Sequence, residues 1–211
     1  TMDYRVLDME KYPRQKHFDY FRSLAYPYVG MTVNLDVTEF VNKSKAQGLP
    51  FFLSLCYCVA QAANGVPEFR QRIKDGGIIQ YDWCQPSHTL ALEDGSYCYC
   101  NLECDMSFRE YLPKALEAQK KAFEERSLED GEDGDSLLFV SSIPFISYSS
   151  LVQPVPCPAD SNPRISWGKY FRQGDRLLLP VSVLCNHALV DAIHISRFYA
   201  TLDMALTSLF R

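Results

Sequence analysis

Apolar positions along this chain change period several times, and each change marks an element. Residues 177–185 (LLLPVSVLC) form an almost unbroken aliphatic run, which predicts a buried strand. Beyond it Ile195, Phe198, Leu202, Ala205 and Leu209 recur at helical spacing and predict a carboxyl-terminal helix. Pro180 removes one ladder donor from the strand, which predicts an edge position or a bulge.

The remainder reads in the same way. A helix is expected to open at Tyr12-Pro13-Arg14 and to bury Phe18, Phe21 and Ala25. Residues 28–37 alternate like a strand, and Asp36 with Glu39 spells a capping box for a short helix ending near Gly48. Residues 51–63 are apolar almost throughout, which predicts a fully buried helix. Residues 78–81 read as a strand after the Asp75-Gly76-Gly77 turn, and Asp94-Gly95 predicts a tight hairpin between 89–93 and 96–102. Ser107 and Glu110 make a second capping box, opening a helix to about Arg126 with a kink expected near Pro113. The acidic stretch 128–135 reads as a mobile surface loop, since it lacks the spacing of a calcium loop. Residues 137–142, 145–151 and 165–171 read as strands, with a proline-rich connection over 154–163. The pattern is α+β, a mixed sheet covered by helices, in one domain spanning 1–211.

Composition narrows the function. With 211 residues and 47% apolar content the chain can bury a large core. A net charge of −5 argues against a nucleic-acid partner, whose phosphates call for surplus Lys and Arg. The longest apolar stretch, 49–59, is too short to span a bilayer. No basic segment followed by an apolar core opens the chain, so a cytoplasmic protein is expected, with its eight cysteines reduced. Those cysteines form no CxxC pair, and Cys98 with Cys100 is at best a weak metal signal.

Candidate chemistry gathers between the 177–185 strand and the last helix, at Asn186, His187 and Asp191. A histidine where a strand ends is held by the sheet yet reachable, which suits a general base; a histidine satisfied by local hydrogen bonds is the competing reading. His187, Asp191 and His194 could share a helical face and hold a metal, a reading given little weight.

Five segments together resemble the trimeric chloramphenicol O-acetyltransferase family. The family's HHxxxDG-xH signature is matched by Asn186-His187-Ala188-Leu189-Val190-Asp191-Ala192-Ile193-His194. Its Arg-x-x-His-Phe pattern is matched by Arg14-Gln15-Lys16-His17-Phe18. Its PEFR and KDG elements stand at Pro67–Arg70 and Lys74–Gly76, its FVSxxPW run at Phe139–Phe145, and GDRLLLP at Gly174–Pro180. The resemblance implies a chloramphenicol acetyltransferase-like fold, assembled as a homotrimer with active sites between subunits and acting in the cytoplasm in antibiotic resistance. The reaction it implies is acetyl transfer from acetyl-CoA to a hydroxyl of chloramphenicol, in a ternary complex and without metal.

The resemblance also assigns roles. His187 would be the general base, worth roughly 10²–10⁴ in rate, and Ser141 the oxyanion donor, worth about 3 kcal/mol. Asp191 and Arg14 would form a buried pair supporting the histidine loop. Ser166, Lys169, Tyr170 and Phe52 would lie along the coenzyme channel. Tyr20, Phe21, Tyr97, Phe139, Leu151 and Val155 would line an apolar, aromatic acceptor pocket, although each could equally be ordinary packing. Asn186 replaces the first histidine of the family pair, and Ala192 replaces a glycine, which matters if that backbone needs positive φ. The same chemistry on another hydroxylated acceptor, and a binding protein without turnover, remain open alternatives.

Overall fold

The computed structural model describes residues 2–129, 131 and 133–211. In chain order it forms β1 (Tyr4–Val6), α1 (Gln15–Arg22), β2 (Tyr28–Asp36), α2 (Thr38–Ala46), α3 (Phe51–Asn64), β3 (Gln71–Lys74), β4 (Gly77–Tyr81), β5 (Pro86–Ala91), β6 (Tyr97–Asn101) and α4 (Phe108–Glu125). It continues with β7 (Leu138–Ser142), β8 (Arg164–Trp167), β9 (Phe171–Gln173), β10 (Arg176–Asn186) and α5 (Ala192–Ser208). Seven strands make one sheet in the order β2-β10-β8-β7-β5-β6, with β9 paired to β10 beyond the end of β8. The β5–β7 and β7–β8 pairs are parallel and the others antiparallel, so the α+β class with a mixed sheet holds.

Alternation along β10 decides the two faces of the sheet. Leu179, Val181, Val183 and Cys185 are buried in the core that α3 and α5 cover. Leu178, Pro180, Ser182, Leu184 and Asn186 point to the opposite face, away from those helices. The apolar helix α3 is buried over most of its length, from Leu53 to Asn64, as its composition predicts. Arg72 of β3 is buried, and its five N–H donors all find partners: the carbonyls of Phe69, Gln71, Asp135 and Leu137, and Cys84 Sγ. It thereby ties the segment entering β7 to the small sheet.

Several expectations need correction. The 145–151 segment is turn and irregular chain, not a strand. Residues 165–171 split into β8 and β9, interrupted at Gly168, where a Cβ would come within 2.8 Å of the Ile146 carbonyl. That break accommodates Pro180, which lies in an interior strand and not at an edge. Its carbonyl accepts from Gly168 N–H, so its nitrogen faces the gap between β8 and β9, where the ladder carries no partner. The 78–81 strand belongs to a separate three-stranded sheet, β1-β4-β3, not to the large one. Asp36 does not cap α2 through a box: its carboxylate accepts from the Thr38 backbone and hydroxyl, and the first helical turn begins one residue later. The Ser107–Glu110 box is formed as read, and Pro113 lies within the helix it opens. The acidic 128–135 loop falls partly on residues 130 and 132, outside the described residues.

Candidate active site

His187 follows the last residue of β10 directly, and the sheet register places it. Its backbone N–H donates to the Pro27 carbonyl at 2.8 Å, anchoring it beside the start of β2. Its ring stacks on Phe21 of α1, with centroids 3.7 Å apart and planes 13° from parallel. Nδ1 lies 2.9 Å from the Val190 carbonyl, an atom that can only accept, so Nδ1 carries the proton. With the proton on Nδ1, Nε2 is the ring nitrogen that carries the lone pair.

The loop carrying His187 is clamped from the amino-terminal side. Arg14 donates to the carbonyls of His187 at 3.2 Å and of Ala188 at 3.3 Å. Asp191 is the N-cap of α5 and accepts from Ala192 N–H at 2.7 Å. That bond holds its carboxyl below the usual carboxylate range against the opposing effect of burial. Arg14 and Asp191 do pair, at 3.8 Å, but the Asp191 side chain is 42% exposed, so the pair is not the buried one expected. Arg14 acts mainly through backbone carbonyls. His194 Nδ1 accepts from Asp191 N–H at 2.9 Å, completing the start of α5. Ala192 is the first residue of that helix, and the positive-φ positions lie elsewhere, so the lost glycine costs nothing here. Buried Asn186 uses both ends of its amide, donating to the Asp160 carbonyl and accepting from Ala188 N–H. Among the described residues no group of three or more His, Cys, Asp or Glu side chains is placed to hold a metal.

A second assembly occupies the outer face of the sheet. Ser141 of β7, Ser166 of β8, Ser182 of β10 and Thr32 of β2 are register partners in neighbouring strands, which puts four hydroxyls in one row. Ser141 and Ser166 lie 2.8 Å apart, as Thr32 and Ser182 do at 2.7 Å. Ser141 opens into a cavity of about 440 Å³ that also receives Ser87, Thr89, Tyr99, Phe139 and Arg164. Its neighbour Ser142 points to the other face and lines a larger, mainly apolar cavity of about 810 Å³ between α3, β5 and the Gly168–Tyr170 turn. Thr89 lines both cavities, so they abut at β5.

His187 lies far from Ser141 in the same chain. His187 stands five positions beyond Ser182, roughly 16 Å along the strand direction, and β7 lies two strands from β10, about 10 Å across the sheet. His187 also leans toward β2, on the side of β10 away from β7. None of the five cavities described contains both residues.

Residues 2–203 match the family model described as chloramphenicol acetyltransferase. The chain belongs to the chloramphenicol acetyltransferase family. It is 30% identical over 199 residues to a chloramphenicol acetyltransferase of Klebsiella sp, covering 92% of this chain and 90% of that one. It is 28% identical over 216 residues to chloramphenicol acetyltransferase 2 of Escherichia coli, covering all of both chains. A solved chloramphenicol acetyltransferase superposes with a TM-score of 0.85 at 25% identity, over 97% of this chain and all of that one. The dihydrolipoamide acetyltransferase of Azotobacter vinelandii shares the fold, with a TM-score of 0.72 at 19% identity over 93% of this chain and 88% of that one.

Against the family resemblance, three expected coenzyme residues, Phe52, Lys169 and Tyr170, come together in the larger cavity. Ser166 is buried and reaches the smaller cavity only through Ser141. The six expected acceptor residues scatter. Phe139 alone lines the Ser141 cavity. Tyr97 lines the larger cavity, and Leu151 a separate one beside Tyr28 and Ser182. Tyr20 is exposed, Phe21 is the stacking partner of His187, and half-buried Val155 lies between Pro154 and Pro156, which line the Ser141 cavity. Nor is the Ser141 cavity simply apolar, since it holds an Asp160–Arg164 ion pair that sequence reading misses. It misses His88 and Trp167 in the larger cavity as well. Each lies on a strand whose facing follows from pairing register and not from its own neighbours.

Proposed function

We propose that this chain transfers acetyl from acetyl-CoA to a hydroxyl of chloramphenicol. The observation that carries the reading is the Nδ1–H bond from His187 to the Val190 carbonyl, which leaves Nε2 free to take a hydroxyl proton. Acetyl-CoA supplies an activated acyl carbon and a thiolate leaving group. The larger cavity suits its long thin arm: it is mostly apolar, with Phe52 and Tyr170 in its walls and exposed Lys169 available for a phosphate. In this reading Ser141 donates to the carbonyl oxygen as negative charge builds there, held in place by Ser166. His187 takes the hydroxyl proton and returns it to the departing sulfur.

Separation of His187 from Ser141 within one chain favours a site completed by a second copy. Large apolar side chains are exposed beside each half: Phe145 at 84% and Val152 at 96% follow Ser141, while Tyr20, Leu24 and Tyr26 flank Phe21. Such patches call for cover, and a homotrimer provides it while bringing one chain's histidine to the next chain's serine. No helix among the described residues is long and apolar enough to cross a membrane.

The test is thiol release from acetyl-CoA by the purified chain with chloramphenicol. Stoichiometric acetylation supports the reading. Turnover of another hydroxylated compound but not chloramphenicol would move the acceptor. Ligand-induced stabilisation with no thiol release from any acceptor would leave a binding protein. A monomer in solution would overturn the shared site.

A further inference from the structure

The smaller cavity has a charged wall beside its hydroxyl row. Arg164 stands two residues before Ser166 on β8, so its Cα lies roughly 6–7 Å from that of Ser166 on the same face. Its Nη1 and Nη2 each donate to one oxygen of Asp160, both at 2.8 Å. The second Nη1 hydrogen has the Asn162 carbonyl at 3.5 Å. Among the described residues, the Nε–H and the second Nη2–H have no protein partner. These two donors form the remaining edge of the planar guanidinium, a fork spaced for two coplanar oxygens. One face of the guanidinium lies over Phe139, 5.4 Å from the ring centroid.

Asp160 is itself held from several sides. Tyr28 donates to its carboxylate at 3.1 Å and accepts from its backbone N–H at 3.1 Å, and Asn186 donates to its carbonyl at 3.0 Å. Burial, and then the Asp160 charge, push the Tyr28 phenol up to about 12, so it stays a neutral donor. The Arg164 side chain is 12% exposed and has little freedom left to lose on binding.

We propose that Arg164 is a specificity-determining residue of the acceptor site, whose free Nε/Nη2 edge binds a planar two-oxygen group on the hydroxylated acceptor. Because Asp160 already balances the guanidinium charge, a neutral nitro group suits the edge better than a carboxylate does. This inference rests on the acetyl-transfer reading for the identity of the ligand, but not for the geometry of the fork.

Its test uses the full chain and matched acceptors: chloramphenicol, and its analogues with the ring nitro group replaced by hydrogen or by carboxylate. The wild type is expected to favour the nitro compound over the hydrogen analogue by roughly 10–100-fold in kcat/KM. In Arg164→Met that preference collapses through acceptor KM, while KM for acetyl-CoA is unchanged. Arg164→Lys keeps a charge beside Asp160 but lacks the fork, and loses the preference too; it decides the matter if the methionine variant does not fold. Preference for the carboxylate analogue would name the other source of the same chemistry. An undiminished nitro preference in both variants, or none in the wild type for either two-oxygen group, overturns the proposal. If no acceptor releases thiol, calorimetric binding of the nitro and hydrogen compounds to wild type and Arg164→Lys still tests the fork, independently of the failed acetyl-transfer reading.

Discussion

The two halves of the proposed site are built by different means. The histidine corner is made of short-range parts held by one distant clamp: a carbonyl three residues on fixes the tautomer and the N-cap that starts α5 follows at once, while Arg14 reaches two adjacent carbonyls from the other end of the chain. The serine row has no such local scaffold. Ser141, Ser166, Ser182 and Thr32 come from four strands and meet only because the register aligns them. A corner of the first kind depends on its own loop and on the few distant groups that touch it, Arg14, Phe21 and the Pro27 carbonyl. A row of the second kind moves as one with the sheet, since a one-residue slip turns every hydroxyl to the other face.

The largest effect that tests this contrast is on turnover. His187→Ala is expected to lower kcat by at least 10²–10⁴ with oligomeric state and melting temperature nearly unchanged; wild-type rates by stopped-flow or steady-state assay would remove His187 as the base. Ser141→Ala should follow, with roughly 10²–10³ lost in kcat and little change in acceptor KM; an unaffected kcat would dissociate the serine row from catalysis. The two variants together sharpen the comparison. Unfolded and refolded as a mixture, they should regain about a quarter of the wild-type sites, because random assembly pairs an intact histidine with an intact serine from another chain. No recovery in a mixed oligomer confirmed by native mass spectrometry would mean that each chain uses its own pair.

Smaller effects separate the supports of the histidine corner. Arg14→Ala removes two hydrogen bonds to carbonyls, and a loss of about 1–3 kcal/mol in denaturant-measured stability is expected. Asp191→Asn keeps the N-cap and loses only a half-exposed ion pair, so its cost should be about 0–1 kcal/mol. Equal losses would reverse the assignment of Arg14 to the carbonyls. The smallest expected effect is on pH dependence. Burial pushes His88 below the ordinary histidine value, countered in part by its bond to the Thr89 carbonyl. The unfolded chain therefore takes up the proton first as pH falls, and stability held above about 6.5 declines below it. His88→Phe should flatten the melting-temperature profile between neutral pH and the acid limb; an unchanged slope would remove His88 as its source.

Elements with a strong local signal are legible in the residues themselves. The all-apolar stretch that forms α3, the Asp94-Gly95 hairpin, the Ser107–Glu110 cap and the strand leading to His187 each depend on residues within a turn or two. Sequence reading fails where distant contacts decide. The 145–151 segment has strand-like residues but no ladder partner, and its neighbour Gly168 is held against it by backbone contact. Pro180 reads as an edge residue because a missing donor is visible locally, whereas the gap that tolerates it is made by β8 and β9. The acceptor residues scatter for the same cause. Arg164 is missed because its role rests on Phe139 and Ser141 of β7, a strand that only the sheet order brings beside it, although its partner Asp160 lies four residues away.

What the residues determine alone is the list of elements, the histidine at a strand end and the family pattern around it, since hydrophobic period and short motifs are properties of neighbours along the chain. Tertiary structure decides which hydroxyls align, where the two cavities meet, and that His187 and Ser141 lie far apart within a single chain. Those facts are set by strand order and register, and no residue carries a record of which strand will lie beside it.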